Sequence, residues 1–313
     1  MIKNVLDHSL QFDNLSPMTQ KARTMKSLAF IHRNDTRFAI GDFYPALSVF
    51  SYHELGNTTS PFLLLDHLGP GRLEPQSNKK SVNEHPHRGF ETVTFVFAGE
   101  LAHKDSTGQG GIIQPGDVQW MTAAAGIQHI EQFSPEFRQQ GGKFEMVQLW
   151  VNLPAKDKMS APQYQSLSNS EIPKCILDHQ AGYIRVVAGQ YRTTQGIAKT
   201  FTPMNIFDIH LKKNQQITLP AEEGTTTLIY LRKGKAMFAA DEDHLEEQAL
   251  AVMSSLGSDV EITAIEDCDL LFLSAQPLNE PINGHGPFVM NSYDEILEAY
   301  DDIKTGKFGH YSN

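Results

Sequence analysis

Short runs of β-branched and aromatic residues, broken at regular intervals by turn-forming residues, make up most of this chain. Thr92-Val93-Thr94-Phe95-Val96-Phe97 reads as a strand that stops at the turn Ala98-Gly99-Glu100, because β-branched and aromatic side chains suit a pleated, half-buried surface. Ile112-Ile113 leads into the turn Pro115-Gly116-Asp117, and Val118-Gln119-Trp120-Met121-Thr122 follows as another strand. A corner of small residues, 123–126, then precedes His129. Upstream, residues 46–52 and 61–66 read as strands; downstream, residues 142–153 alternate well enough to close a first barrel. Helical patterns are few. Ser16 followed by Pro17 can start a short helix over 16–23, and Ile296, Leu297, Tyr300 and Ile303 recur at helical spacing between a cap at Asn291 or Ser292 and a stop at Gly306. Asp294 and Glu295 fall in the first turn of that second helix, where its dipole favours acids.

The second half repeats the first. Setting Gly234 against Gly99 aligns Gly224 with Gly89, Thr227 with Thr92 and Tyr230 with Phe95 without a gap. This register predicts an all-β protein of two small barrels made by internal duplication, with a short C-terminal helix. The Pro-, Lys- and Ser-containing stretch 154–175 reads as the connector. The expected organisation is an N-terminal extension over 1–34, a first barrel over 35–160, and a second barrel with the helical tail over 161–313. The extension reads as an arm packed on the body or on a partner subunit.

Composition narrows the class of function. With 313 residues, 40% of them hydrophobic and 20% charged, the chain is long enough for two ordinary globular domains. Its net charge of −11 argues against general nucleic-acid binding, which rests on neutralising phosphates with Lys and Arg. Cys175 and Cys268 are the only cysteines and form no CxxC motif, so two free thiols are expected, as in a reducing cytoplasm. Polar residues interrupt the first 28 positions and no run of eighteen apolar residues occurs, so neither a secretory signal nor a membrane span is expected. The expected location is cytoplasmic.

The candidate chemistry lies in residues 83–131, which hold four of the thirteen histidines. His85 and His87 stand two apart, and His129 is followed at the same spacing by Glu131. Residues i and i+2 of a strand point to one face, so each pair can aim both side chains at one point, and the two pairs can converge on one metal ion. A histidine at such a position is also compatible with a satisfied core or surface role, and spacing alone leaves both readings open. In the duplicated register His85 becomes Pro220 and His87 becomes Glu222, so the second barrel lacks the paired ligands. Its histidines, His179, His210 and His244, are scattered, and Glu222 and Glu223 read as solvated acids.

The segments HPHRGFETVT, GDVQWMTA and GIQHIE, in this order and at close spacing, resemble the pirin family of the cupin superfamily. PFLLLDHLGPG upstream, LWVNLPAKDKM with PQYQ and EIPK after it, and GHGPFVMNSYDEILEAYDDIKTGKFG near the C-terminus extend the likeness, whereas residues 1–34 lie outside it. The resemblance implies a bicupin in which His85, His87, His129 and Glu131 bind one metal per chain, usually Fe(II), with the tail returning to the first domain. Such a nitrogen and oxygen donor set also accepts other divalent transition metals. Cupins in general take their glutamate from the first motif, where Glu91 stands, and Glu91 is read here as a supporting residue. His67, Arg88 and His103 are further polar candidates near the site; Phe90, Phe97, Trp120 and Met121 can line a pocket or pack in the core.

The resemblance further implies quercetin 2,3-dioxygenase-like chemistry on a flavonol-like aromatic substrate and dioxygen. Glu131 would take the proton of the 3-hydroxyl, and ring opening would release carbon monoxide. The alternative it implies is a non-enzymatic, metal-dependent and redox-sensitive regulator that binds protein partners, without direct contact to nucleic acid or membrane.

Overall fold

The computed structural model describes residues 24–75, 81–239 and 243–309. The helix expected over 16–23 lies outside them. Each half of the chain forms a seven-stranded and a four-stranded antiparallel sheet, and the two halves match strand for strand. The first large sheet runs in the order Gln163–Leu167, Val118–Thr122, Phe90–Ala98, Gly142–Asn152, Phe62–Leu73, Phe43–Ser51 and Arg37–Ile40. The second runs Leu28–His32, Ala249–Met253, Thr226–Lys233, Cys268–Ala275, Met204–Leu211, Gly182–Ala188 and Lys174–Ile176. The small sheets are Ser81–His87, Ile127–Phe133, Leu101–Asp105 and Gly110–Ile113 in one half, and Gln216–Leu219, Val260–Ala264, Lys235–Phe238 and His244–Glu246 in the other. The duplication read from Gly99 and Gly234 is therefore structural: both turn glycines adopt positive φ, 80° and 93°, at the same strand junction.

The sheets do not follow the expected boundaries at their edges. Gln163–Leu167, inside the presumptive connector, pairs with Val118–Thr122 and completes the first large sheet. Leu28–His32, inside the presumptive extension, pairs with Ala249–Met253 and completes the second. A buried lysine precedes each edge strand: Lys158 donates to the carbonyls of Gly89 and Val289, and Lys26 to those of Ser254 and Ser255.

Strand alternation decides what each large sheet buries. Val93 and Phe95 face a core shared with Leu228, Tyr230, Leu250 and Leu271 of the other half, so the two large sheets pack on each other. Trp120 belongs to this shared core, and Met121 packs with Ala123, Ile127 and Tyr164. Val96, next after Phe95, faces inward and joins Phe43, Leu68, Phe133 and Met146 in the interior of the first barrel. The second interior is apolar throughout its core, with Ile217, Leu219, Phe207, Ile262 and Phe272.

The tail returns to the first barrel. A short hairpin, Asn283–His285 with Phe288–Met290, leads to the helix Tyr293–Lys304, started by a capping box between Ser292 and Glu295. Val289 N donates to Arg88 O at 3.0 Å, and the buried Arg88 guanidinium meets Asp302 at 2.8 Å. Among the described residues no helix is long and apolar enough to cross a membrane.

Candidate metal centre

Pairing of two strands brings the histidines together. Antiparallel Ile127–Phe133 and Ser81–His87 set His129 opposite His85 and Ile127 opposite His87. On its other side Ile127–Phe133 pairs with Leu101–Asp105, setting Glu131 opposite His103 and His129 opposite Asp105. Residues 127, 129, 131 and 133 are all buried, as expected for alternate positions facing a barrel interior. Two overlapping groups result, His85 with His87 and His129, and His103 with His129 and Glu131, each with its ligand-type atoms within 4.8 Å of one another. Among the described residues, both clusters of this kind lie in the first barrel.

The proton positions on these rings follow from their partners. His85 Nδ1 lies 2.7 Å from Asn83 O and His87 Nδ1 3.3 Å from Pro287 O, so each Nδ1 carries the proton and each Nε2 keeps its lone pair. His129 Nδ1 faces His103 Nδ1 at 3.4 Å, and the latter accepts from Gln119 Nε2 at 3.1 Å, which gives His129 the same tautomer. The Nε2 lone pairs of His85 and His129 then oppose each other at 2.8 Å. Burial, then the neighbouring His85, pushes both His87 and His129 well below the ordinary histidine range, so both rings are neutral at neutral pH. Neutral imidazoles with converging lone pairs are the form in which histidine binds a metal, so the donor set fits a cation.

The acid is held as firmly. Gln148 Nε2 donates to both oxygens of Glu131 at 3.1 Å, and Trp150 Nε1 donates to Gln148 Oε1 at 3.4 Å. Trp150 stacks on Phe90 with ring centres 4.1 Å apart, and both rings meet the edge of His87. A cavity of about 20 Å³ lies beside Glu131, walled by Phe43, Leu68, Val82, Met146 and other residues.

Other residues singled out in the sequence stand elsewhere. Glu91 points out of the barrel, accepting from Thr122 Oγ1 at 2.7 Å, and burial pushes its carboxyl up to about 7. His67 reaches across the domain junction to the Tyr230 hydroxyl at 2.6 Å and to Glu145 at 3.2 Å. Arg88 is turned to the tail, and Phe97 carries the Arg232 guanidinium on its face at the domain junction. Glu222 and Glu223 are exposed. Sequence reading did not single out Gln119, Gln148, Asp105, Tyr164 or Pro287. Two of these had a usable signal: Gln148 and Gln119 are polar residues on strand faces otherwise given to Met146 and Met121.

Comparison with known proteins agrees with the duplicated fold. The models for Pirin and for the Pirin C-terminal cupin domain match residues 45–151 and 206–309. A Pseudomonas aeruginosa protein named "Putative quercetin 2,3-dioxygenase PA2418" is 46% identical over 284 residues, 91% of this chain and 99% of that one. Pirin of Homo sapiens is 36% identical over 253 residues, 80% of this chain and 83% of its own. A crystal structure of quercetin 2,3-dioxygenase from Acinetobacter baumannii shares 48% identity and superposes with a TM-score of 0.89, covering 91% of this chain and 99% of that chain.

Proposed function

From the premise that this chain belongs to the pirin family of two-domain cupins, we propose that it is a flavonol 2,3-dioxygenase using one iron(II) held by His85, His87, His129 and Glu131. The observation that carries this reading is the convergence of the His85, His87 and His129 ring nitrogens, with Glu131, fixed by Gln148, within 4.8 Å of His129 in a second group that overlaps the first at that residue. When bound, iron supplies Lewis acidity toward an ionised hydroxyl and one-electron chemistry with dioxygen.

The chain's own residues do the rest. Asn83, Pro287 and His103 hold the Nδ1 protons of the three imidazoles, so all three present Nε2. Glu131 accepts the proton of the substrate's 3-hydroxyl, and Gln148 keeps its carboxylate oriented for that transfer. The cavity beside Glu131, about 20 Å³, holds a water-sized molecule and no flavonol, so the substrate approaches from the side of His85, the least buried of the histidines. The half-buried Trp150, packed against His87, offers apolar surface beside the site for a flat ring.

The test is an anaerobic reconstitution with iron followed by addition of quercetin and oxygen. Carbon monoxide and a ring-opened product, absent from His129→Ala, are expected. Stoichiometric iron without any turnover would leave the second reading, a metal-dependent regulator that binds a protein partner. That reading draws on the contact between Pro287 O and His87, which joins a surface tail to the site.

A further inference from the structure

The buried side chains outside the four proposed ligands form a second ring around His129. His103 is 4% exposed and Asp105 1%, and both project inward from Leu101–Asp105. His103 Nε2 lies 3.5 Å from Asp105 Oδ2, at the outer limit of hydrogen bonding. Its Nδ1 faces His129 Nδ1 at 3.4 Å and accepts from Gln119 Nε2 at 3.1 Å. Tyr164 stacks on the same ring, 5.2 Å between centres and 22° between planes. Asp105 is itself anchored: its Oδ1 accepts from Thr107 N at 2.9 Å, Thr107 Oγ1 at 2.6 Å and Gln109 N at 3.2 Å.

We propose that Asp105 and His103 are positioning residues that fix the tautomer and ring angle of His129 through its Nδ1. The argument is one of donors and acceptors. The carboxylate of Asp105 accepts only, so it places the His103 proton on Nε2. His103 Nδ1 then presents a single lone pair, which Gln119 Nε2 at 3.1 Å and His129 Nδ1 at 3.4 Å share; a bare His129 Nδ1 would set lone pair against lone pair, so the proton of His129 sits on Nδ1 and its Nε2 lone pair points toward His85 and His87. Gln119 and Tyr164 prevent the His103 ring from flipping or swinging, the first by its hydrogen bond and the second by covering one face. The other two histidines rely on backbone carbonyls for the same service, so His129 is the one whose orientation depends on side chains that substitution can change. This inference rests on the metal reading of the site, and its test separates the two.

The experiment compares parent protein with His103→Ala, His103→Asn and Asp105→Asn, using Cu(II) and Co(II) as probes. Metal affinity is measured by competition with a chelator, and the Cu(II) sites by electron paramagnetic resonance. His103→Ala is expected to weaken metal binding by about 10- to 100-fold and to change the Cu(II) spectrum. His103→Asn can keep an amide oxygen near the position of Nδ1, and is expected to recover a good part of both. Asp105→Asn, which keeps an acceptor for Thr107, is expected to fall between them. A cooperative thermal transition without metal, retained by all four proteins above the assay temperature, excludes a folding defect as the cause. Parent-like affinity and spectrum in His103→Ala overturn the relay while leaving the metal site standing. Loss of one nitrogen coupling from the Cu(II) spectrum in His103→Ala that His103→Asn does not restore would make His103 a ligand and also overturn it. A parent that takes up no metal overturns the relay together with the reading beneath it.

Discussion

Gln148 donates through one amide nitrogen to both carboxylate oxygens of Glu131, at 3.1 Å each, from the neighbouring large sheet. A carboxylate held this way has its rotation fixed before any substrate arrives. Replacing Gln148 by Leu removes the donor at similar volume and frees the acid to turn. Iron content is expected to stay near one per chain while kcat on quercetin drops about 10- to 100-fold, with a smaller change in KM. Steady-state kinetics on iron-loaded protein measures this; an unchanged kcat would remove Gln148 from the proposed mechanism.

Glu91 supplies a pH prediction with a clear sign. Burial raises its carboxyl from the ordinary 4.5 to about 7 in the folded protein. Between these values the folded state keeps a proton that the unfolded state has lost, so stability due to this group is present at low pH and falls as pH rises through about 7. Glu91→Gln keeps an acceptor for Thr122 and cannot ionise. It is expected to match the parent near pH 4 and to exceed it above pH 7, by up to roughly 3 kcal/mol. Urea denaturation at pH 5 and pH 8 reads the difference, and the same variant should keep its metal, since Glu91 faces away from the histidines.

Lys158 predicts a pH dependence of its own. Its ammonium is buried against Gly89 O, Asn152 Oδ1 and Val289 O, and desolvation lowers its pKa from 10.5 to about 7. Between those values the unfolded chain holds a proton that the folded chain does not, so stability rises with pH over that window. The parent should therefore gain stability relative to Lys158→Met between pH 7 and pH 10. Denaturation of both proteins at pH 6.5 and pH 9.5 tests this, a constant gap counting against the deprotonation.

Asp302 is the buried partner of Arg88, at 2.8 Å, and the pair ties the C-terminal helix beside the loop that follows His87. Asp302→Ala leaves the Arg88 guanidinium buried with the carbonyl of Ala125 and the Phe308 ring. A loss of about 3 kcal/mol is expected, with faster proteolysis of the tail. Limited digestion and thermal unfolding check both, and the parent rate of cleavage in the variant would mean that apolar packing alone holds the tail.

Much of the architecture was legible because local chemistry repeats. The strand run 92–97, the turn at Gly99 and their copies at Thr227 and Gly234 signal the two barrels, since turn glycines and strand periodicity act within a few residues. The i, i+2 pairs at His85 and His129 were legible for the same reason. The edge strands were not: Leu28–His32 and Gln163–Leu167 are recognisable only through the partners they pair with, far away in sequence.

The sequence by itself determined an all-β duplicated chain, the paired side chains of metal-ligating type at His85, His87, His129 and Glu131, and the lack of paired histidines in the second barrel. Only the tertiary structure decided which groups support them. Gln148 reaches Glu131, His103 reaches His129 and Pro287 reaches His87 through register, curvature and a returning tail. It also decided that Glu91, one residue out of phase with Phe90, faces away from the site. Spacing along a strand fixes which residues share a face; which face becomes the inside of a barrel depends on the sheets that close over it.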